Sequence, residues 1–455
     1  MPTDEVLRLP DIHRLNQALV VAARRFGTPA YVIDMASVQR AASQVEAAFG
    51  KPWLLQYSLK ANDLPAISAY LQGRGWGGNV ASTGEWQFAR HAGLSNDAVT
   101  YEGIGKTDAQ LEYAVLEAAC GRPLRWIALE SPEEAEQLAA LAGQYGLGRD
   151  GSAPLDVLLR LNPEVSPETQ PEFAVGQAAS KFGMSATEIL ALVRSGTLDG
   201  QGLRMRGIHV HAGSDLKDVV AWADAGVRAT RLLRDVASYA AHADTVDFGG
   251  GFALSGEDAP TPRHFREALM SALAVAGLRL PTRPAIEPGR YLVGDAGWLV
   301  SSVLHARPVH EASGRALVVI DAGMTEFIRP ALYGSHHPVH ALPLDDWPAA
   351  SRRRTSLEGP VCESTDSFGC HLLPPLRRGD VVAIENAGAY AASFTSRYNG
   401  RPAPAEVLHW PDGSLEGSSR PELLALAPAN HRGKALAGPG PRIDQPSSVT
   451  SVRCG

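Results

Sequence analysis

The sequence predicts an α/β protein: a closed barrel of strand–helix units followed by a smaller, mostly β domain. Three observations carry this. Between about residues 30 and 290, short β-branched or aliphatic runs alternate with amphipathic Ala/Leu-rich stretches. Units of that kind build parallel sheets, and this many of them close a barrel. Beyond about residue 295, helical patterns become scarce and strand-like runs are separated by Pro and Gly. Finally, polar and glycine-rich motifs fall where the strands end, which is where a (β/α) barrel keeps its chemistry.

Taken in order, the expected strands begin with Ala30–Ile33. Next, Leu54-Leu55-Gln56-Tyr57-Ser58-Leu59 runs straight into Lys60. Val99–Glu102, Trp126–Leu129, Val157–Leu161, Gly207–His211, Thr245–Phe248 and Pro284–Glu287 follow. Helical patterns such as Ser37–Ala48, Pro132–Tyr145 and Asp218–Ala241 lie between them. Ser131 before Pro132 is a good N-cap, and the proline suits a first helical turn. Leu299–Leu304, Ala316–Ile320 and Val381–Glu385 are strand-like runs of the second domain. The expected division is an N-terminal segment, 1–35, joining the β domain; a barrel, 36–290; and the β domain, 291–428. Residues 429–455 are rich in Pro, Gly and Ser with little periodicity, and are expected to form a disordered tail.

The 455 residues suffice for two cores, and 45% apolar with 20% charged residues is an ordinary globular composition. The net charge of −7, with no basic stripe, argues against nucleic-acid binding. No apolar run approaches the roughly 18 residues of a membrane span, and the N-terminus lacks a signal peptide's basic start. The cysteines, Cys120, Cys362, Cys370 and Cys454, form no CxxC pair and suggest reduced thiols in a cytoplasmic compartment. His336, His337 and His340 lack a carboxylate or thiolate at ligand spacing, so no metal is expected.

The chemistry centres on Lys60. A lysine at a strand's carboxyl end can lose its proton when desolvated and condense with an aldehyde. In Gly207-Ile208-His209-Val210-His211-Ala212-Gly213-Ser214, alternation puts His209 and His211 on one face. In Asp247-Phe248-Gly249-Gly250-Gly251, three glycines expose successive backbone amides, as a phosphate requires. Glu287-Pro288-Gly289-Arg290 brings a carboxylate and a guanidinium to another strand end. Arg329 and Tyr333 form a further anion-binding pair. Cys362-Glu363-Ser364-Thr365-Asp366 and Gly388-Ala389-Tyr390 come from the β domain.

The order YSLKAN, HVHAGS, GGGF, EPGR, RPALY, CESTD, GAYA resembles the fold-type III pyridoxal-phosphate decarboxylases, most closely their diaminopimelate decarboxylase branch. The likeness runs from about residue 26 to residue 410. It implies an alanine racemase-like (β/α)8 TIM-like barrel with pyridoxal 5'-phosphate as cofactor. Lys60 would bond the cofactor aldehyde, and His211 would stack on its ring with His209 in support. Ser214 and the Gly249, Gly250 and Gly251 amides would bind its phosphate, with Gly289 and Arg290 also in contact with the cofactor. Glu287 would hold the ring nitrogen protonated, where racemases of this fold carry an arginine. Arg290, Arg329 and Tyr333 would clamp the substrate's distal carboxylate. Glu363, with Ser364 beside it, would meet the distal ammonium, and Tyr390 would line the pocket. Cys362 would return a proton after CO2 leaves, from a neighbouring subunit, which implies a homodimer with shared sites.

Asp63-Leu64, Phe252-Ala253, Gly334-Ser335-His336-His337 and Thr365 depart from the family pattern along the pocket wall. The expected reaction is decarboxylation of meso-diaminopimelate to L-lysine and CO2. The same reaction on a siderophore or antibiotic precursor, free or carrier- or citrate-linked, stays open, with a cofactor-free binding protein as the remote alternative.

Overall fold

The computed structural model describes residues 9–149, 153–169, 176, 180–198, 202–254, 259–343 and 352–423; the expected tail lies outside them. After a helix over Leu9–Phe26, strand β1 spans Ala30–Asp34. Eight parallel strands then close a barrel: β2 (Leu54–Ser58), β3 (Gly77–Val80), β4 (Val99–Tyr101), β5 (Trp126–Leu129), β6 (Leu155–Leu161), β7 (Leu203–Val210), β8 (Thr245–Asp247) and β9 (Arg283–Ile286). Strands β9 and β2 pair in parallel to complete the ring.

The remaining strands are β10 (Gly297–His310), β11 (Arg315–Ile320), β12 (Val339–Leu342), β13 (Arg353–Glu358), β14 (Ser367–Leu373), β15 (Val381–Ile384), β16 (Ala405–His409) and β17 (Leu415–Ser418). Together with β1 they form a nine-stranded sheet. In it β1 runs antiparallel to β10 and parallel to β16.

Three differences from the expected elements have physical causes. Strand β3, Gly-Gly-Asn-Val, escapes a reading based on β-branched residues. Its glycines are there because neighbours press close: a Cβ on Gly77 would sit 2.0 Å from Gln56 Oε1 and 2.4 Å from the Ala98 carbonyl. Strand β10 runs through His310, six residues past expectation: its far end is exposed and mixes His305, Arg307, Pro308 and His310 into the apolar run, yet still pairs with β11. The helix expected over Asp218–Ala241 is shorter, Val220–Val236. Asp218 stays outside it, its carboxylate accepting the Val220 amide at 2.6 Å.

Asp34 connects the two parts. It caps the helix Met35–Ala48 by accepting the Ser37 amide at 3.0 Å. Its other oxygen lies 3.1 Å from His409 Nδ1 on β16. Burial pushes this carboxyl up, but the bonds to His409 and Ser37 outweigh burial and hold it below the ordinary aspartate value. Asp34→Ala should therefore cost about 1–3 kcal/mol of unfolding free energy at pH 7, measured by urea titration. A depressed folded-state pKa contributes stability above the unfolded value and loses it as pH falls through the folded one. The advantage of wild type over Asp34→Asn should hold from pH 6 to 8 and shrink below roughly pH 4.

Candidate active site

Polar side chains converge at the carboxyl ends of the barrel strands. The turn Leu59–Ala61 follows β2 and carries Lys60 into the mouth of the barrel. Three bonds pin this turn to the loop after β15. The Tyr390 amide donates to the Ala61 carbonyl at 2.7 Å, Asn62 Nδ2 to the Gly388 carbonyl at 3.0 Å, and Ser393 Oγ to the Lys60 carbonyl at 3.2 Å. Tyr390 adopts a left-handed backbone, φ 53°, which turns its ring over the Arg290 guanidinium at 4.9 Å.

Lys60 Nζ donates to Glu102 Oε1 at 2.6 Å. This corrects the expectation that desolvation frees the amine. Burial does press the Lys60 pKa down, but the charge of Glu102, with those of Tyr390 and Glu287, raises it above the ordinary lysine value. Glu102 is in turn held well below the carboxylate range: burial opposes this, and Lys60, His209 and Arg160 prevail. Its second oxygen lies 3.3 Å from His209 Nε2, which is 3.5 Å from Glu287 Oε2. These ligand-type atoms of Glu102, His209 and Glu287 lie within 4.8 Å of one another; Lys60 supplies the cation beside them.

Glu287 Oε1 accepts from Asn79 Nδ2 at 2.5 Å. Asp247, below it, is buried, and both burial and the Glu287 charge push its pKa well above the ordinary aspartate value. His211 stands just past the end of β7. Burial and the Lys60 and Arg160 charges push its pKa well below the ordinary histidine value. The ring is neutral at pH 7, and its Nδ1 accepts the Gly250 amide at 3.3 Å, which leaves the proton on Nε2.

The glycine run does not present three open amides. Gly249 donates to Asp247 Oδ1 at 3.0 Å, and Gly250 donates to His211. Close packing demands the glycines instead. A Cβ would sit 2.7 Å from His211 Nδ1 at Gly249, 2.4 Å from the Glu287 carbonyl at Gly250, and 2.5 Å from the Gly213 carbonyl at Gly251. Ser214 Oγ accepts from Arg290 Nη2 at 3.1 Å.

One cavity is lined by Ser58, Lys60, His211, Ser214, Gly251, Phe252, Glu287, Gly289, Arg290 and Tyr390. Arg329 is buried, with its guanidinium 5.5 Å from the Tyr333 ring. Burial and the Arg290 charge push its pKa down to about 10. Cys362, Glu363 and Ser364 do not join this cavity. They are exposed on the β13–β14 connection, with Glu363 accepting from Tyr398 Oη at 2.8 Å. Asp366 shapes their loop: its buried carboxylate accepts the Met324 amide at 2.5 Å and the Val361 amide at 2.7 Å.

Of the wall departures, Phe252 lines the cavity and also belongs to the core, whereas Asp63 is structural. Phe252 packs its ring among Phe49, Trp222 and Phe265, with centroids 5.7, 5.7 and 4.6 Å away. Asp63 pairs with Arg420 at 2.6 Å. His337 is buried, bonds the Glu385 carbonyl at 3.0 Å and packs on Phe327, so its role is local. Glu102 is the site residue that motif reading passed over. Its signal was plain enough: a carboxylate ending a barrel strand.

A family model for the pyridoxal-dependent decarboxylase, pyridoxal binding domain, matches residues 35–294. The chain belongs to the pyridoxal-dependent decarboxylases. It is 34% identical over 394 residues to the diaminopimelate decarboxylase of Deinococcus radiodurans, covering 86% of this chain and 93% of that one. Identity to the Zymomonas mobilis diaminopimelate decarboxylase is 32% over 393 residues, covering 85% and 88%. The crystal structure of diaminopimelate decarboxylase from Helicobacter pylori complexed with L-lysine superposes with a TM-score of 0.77 at 27% identity, over 88% of this chain and 95% of that one.

The protein is thus a decarboxylase with pyridoxal 5'-phosphate as its cofactor. The cavity fits that group chemically. It offers an amine for an aldehyde, a buried carboxylate for a ring nitrogen, a neutral imidazole beside them, and a hydroxyl–guanidinium pair for an anion. Borohydride reduction of the decarboxylase with its cofactor should fix the cofactor mass on the peptide containing residue 60. Lys60→Ala should lose both that adduct and the visible cofactor absorbance, and an adduct on another lysine would refute the assignment.

Proposed function

We propose that this decarboxylase converts meso-diaminopimelate to L-lysine and CO2. The observation that carries the reading is the arginine pair, Arg290 over Tyr390 and Arg329 over Tyr333. The Arg290 charge acts on Arg329 strongly enough to help lower its pKa to about 10. A carboxylate held between two buried guanidiniums relieves their repulsion and gains charge-assisted hydrogen bonds. Meso-diaminopimelate carries such a distal carboxylate; lysine and ornithine do not. The two relatives aligned above, both diaminopimelate decarboxylases, support the same reading.

Within it, Lys60 anchors the cofactor, His211 presents its neutral ring, and Glu287 holds the ring nitrogen, with Asp247 buried behind it. Ser214, the Gly249–Gly251 turn and Gly289 bound the phosphate side, and Tyr390 closes the pocket. When bound, the cofactor supplies an electron-accepting ring that takes up the pair released as CO2 leaves. Arg290, Arg329 and Tyr333 fix the far end of the substrate, so that only its D-configured end can aim a carboxylate at the labile position.

The Cys362 thiol then gives a proton to the carbon that lost CO2, while Glu363 and Ser364 meet the distal ammonium. Because these three residues are exposed and away from the cavity of their own chain, the reading includes a second copy that carries them in, hence a homodimer. Exposed Leu332, Phe394 and Tyr398 suit such a contact. A thiol acting as acid must stay reduced, which fits the cytoplasm.

Purified protein with its cofactor should release L-lysine and CO2 in equal amounts from meso-diaminopimelate. A site of paired polar groups should prefer it over L-lysine and L-ornithine by about 10⁴-fold in kcat/KM. Dominant turnover of another amino acid would move the substrate to a specialised precursor and sink this reading. Cys362→Ala should lower kcat by about 10²-fold or more, leaving cofactor absorbance unchanged. Full activity in that variant would remove the thiol from the proton transfer.

A further inference from the structure

Glu102 ends β4 with a carboxylate that is only 3% exposed. A charge buried so deeply needs a partner of its own, because desolvating it alone is far costlier than any gain in packing. One oxygen has Lys60 Nζ at 2.6 Å, and the other has His209 Nε2 at 3.3 Å. The other groups acting on this spot are Arg160, Glu287, Glu85, Tyr390, His211 and the buried Asp247. None of them can take the place of Glu102. Glu287 is drawn to Asn79 at 2.5 Å. Glu85 accepts the Ala81 amide at 2.7 Å, and burial pushes its pKa up to about 7, so it carries only part of a charge at neutral pH.

We propose that Glu102 is the fixed counter-ion of the Lys60 nitrogen, both when that nitrogen is bonded to the cofactor and when substrate has displaced it. The charge count favours a single permanent partner. Released, the Lys60 nitrogen is an ammonium with three protons. When it bonds the aldehyde carbon, the aldehyde oxygen leaves as water with two of those protons, and the nitrogen keeps the third together with its positive charge. The nitrogen is therefore +1 in both states, and one buried −1 serves both without gaining or losing a proton. Displaced Lys60, held as an ammonium by Glu102, gives up its proton reluctantly and is a weak acid toward the substrate carbon. That leaves reprotonation of this carbon to a separate acid.

This inference rests on Lys60 being the residue that bonds the cofactor, and the borohydride adduct on Lys60 checks that assignment independently. The test is a pH titration of the visible absorbance of the cofactor-loaded protein, which reports the proton on the bonded nitrogen without any turnover. In Glu102→Gln, which keeps size and removes charge, the midpoint should fall by about one to three pH units relative to wild type. Glu102→Asp, which keeps the charge, should restore most of that shift.

A second readout is the rate at which the cofactor-free protein captures added pyridoxal phosphate. Its pH midpoint should move down in Glu102→Gln by a similar amount, because the released amine loses its counter-ion as well. A merely structural role for Glu102 would lower the melting temperature and leave both midpoints in place. If Glu102→Gln does not fold, Glu102→Ser, small and neutral, carries the same expectation. An unchanged midpoint in a folded neutral variant whose adduct is still on Lys60 overturns the proposal.

Discussion

The ion pair between Lys60 and Glu102 is the constraint on which the rest of the barrel mouth depends. The Glu102 charge sits where a barrel interior offers little water and would not be tolerable alone, while Lys60 reaches it from the partly open mouth. Once the pair is in place, its field reaches the neighbouring groups. Burial and then the positive end keep His211 neutral, and the negative end lies beside His209, whose ring also faces Glu287. Asp247, one layer further in, has its pKa raised first by burial and then by the charge of Glu287 beside it. Alternating charged and neutral groups across the strand ends let a polar site sit in the middle of an apolar core.

Backbone geometry holds this arrangement as firmly as electrostatics does. The glycines after β8 let that turn approach within Cβ-excluding distance of His211, Glu287 and Gly213. Gly289 does the same for the turn after β9, where a Cβ would sit 2.9 Å from that of Ala61. The loop bearing Tyr390 then fastens across the Lys60 turn. Each motif is thus a close contact between two strand ends as well as a chemical group, and its residue types answer to both demands.

Much of this was legible in the chain. Strand β5 fell where its four apolar residues put it, and the motifs fell at strand ends because the barrel places them there. What stayed hidden had reasons. The glycines of β3 lack the β-branched signature and are explained only by neighbours distant in sequence. The outer end of β10 is exposed, and its His, Arg and Pro residues break the apolar run that marks the buried half. Lys60's charge state depends on Glu102, 42 residues away, and no local pattern conveys a through-space partner. Phe252 and Asp63 looked like altered pocket walls. Phe252 does line the cavity, and its ring is also held in an aromatic cluster; Asp63 instead forms an ion pair with Arg420, so a change of residue type there says little about the substrate.

Asp366 carries a consequence beyond its own loop. Its carboxylate accepts the amides of Met324 and Val361, and Gly323 and Gly359 leave it room: a Cβ on either would sit 2.6 or 2.2 Å from its oxygens. The segment bearing Cys362 is therefore stiffened from within its own chain. Whatever it meets encounters a rigid hook rather than a floppy strand. The entropy of ordering that segment is spent during folding and not charged to association. A shape fixed in this way also separates two kinds of change. The tip residues Cys362 to Thr365 can vary in chemistry while the clasp keeps their placement, so selectivity at the tip can drift without the fold having to follow.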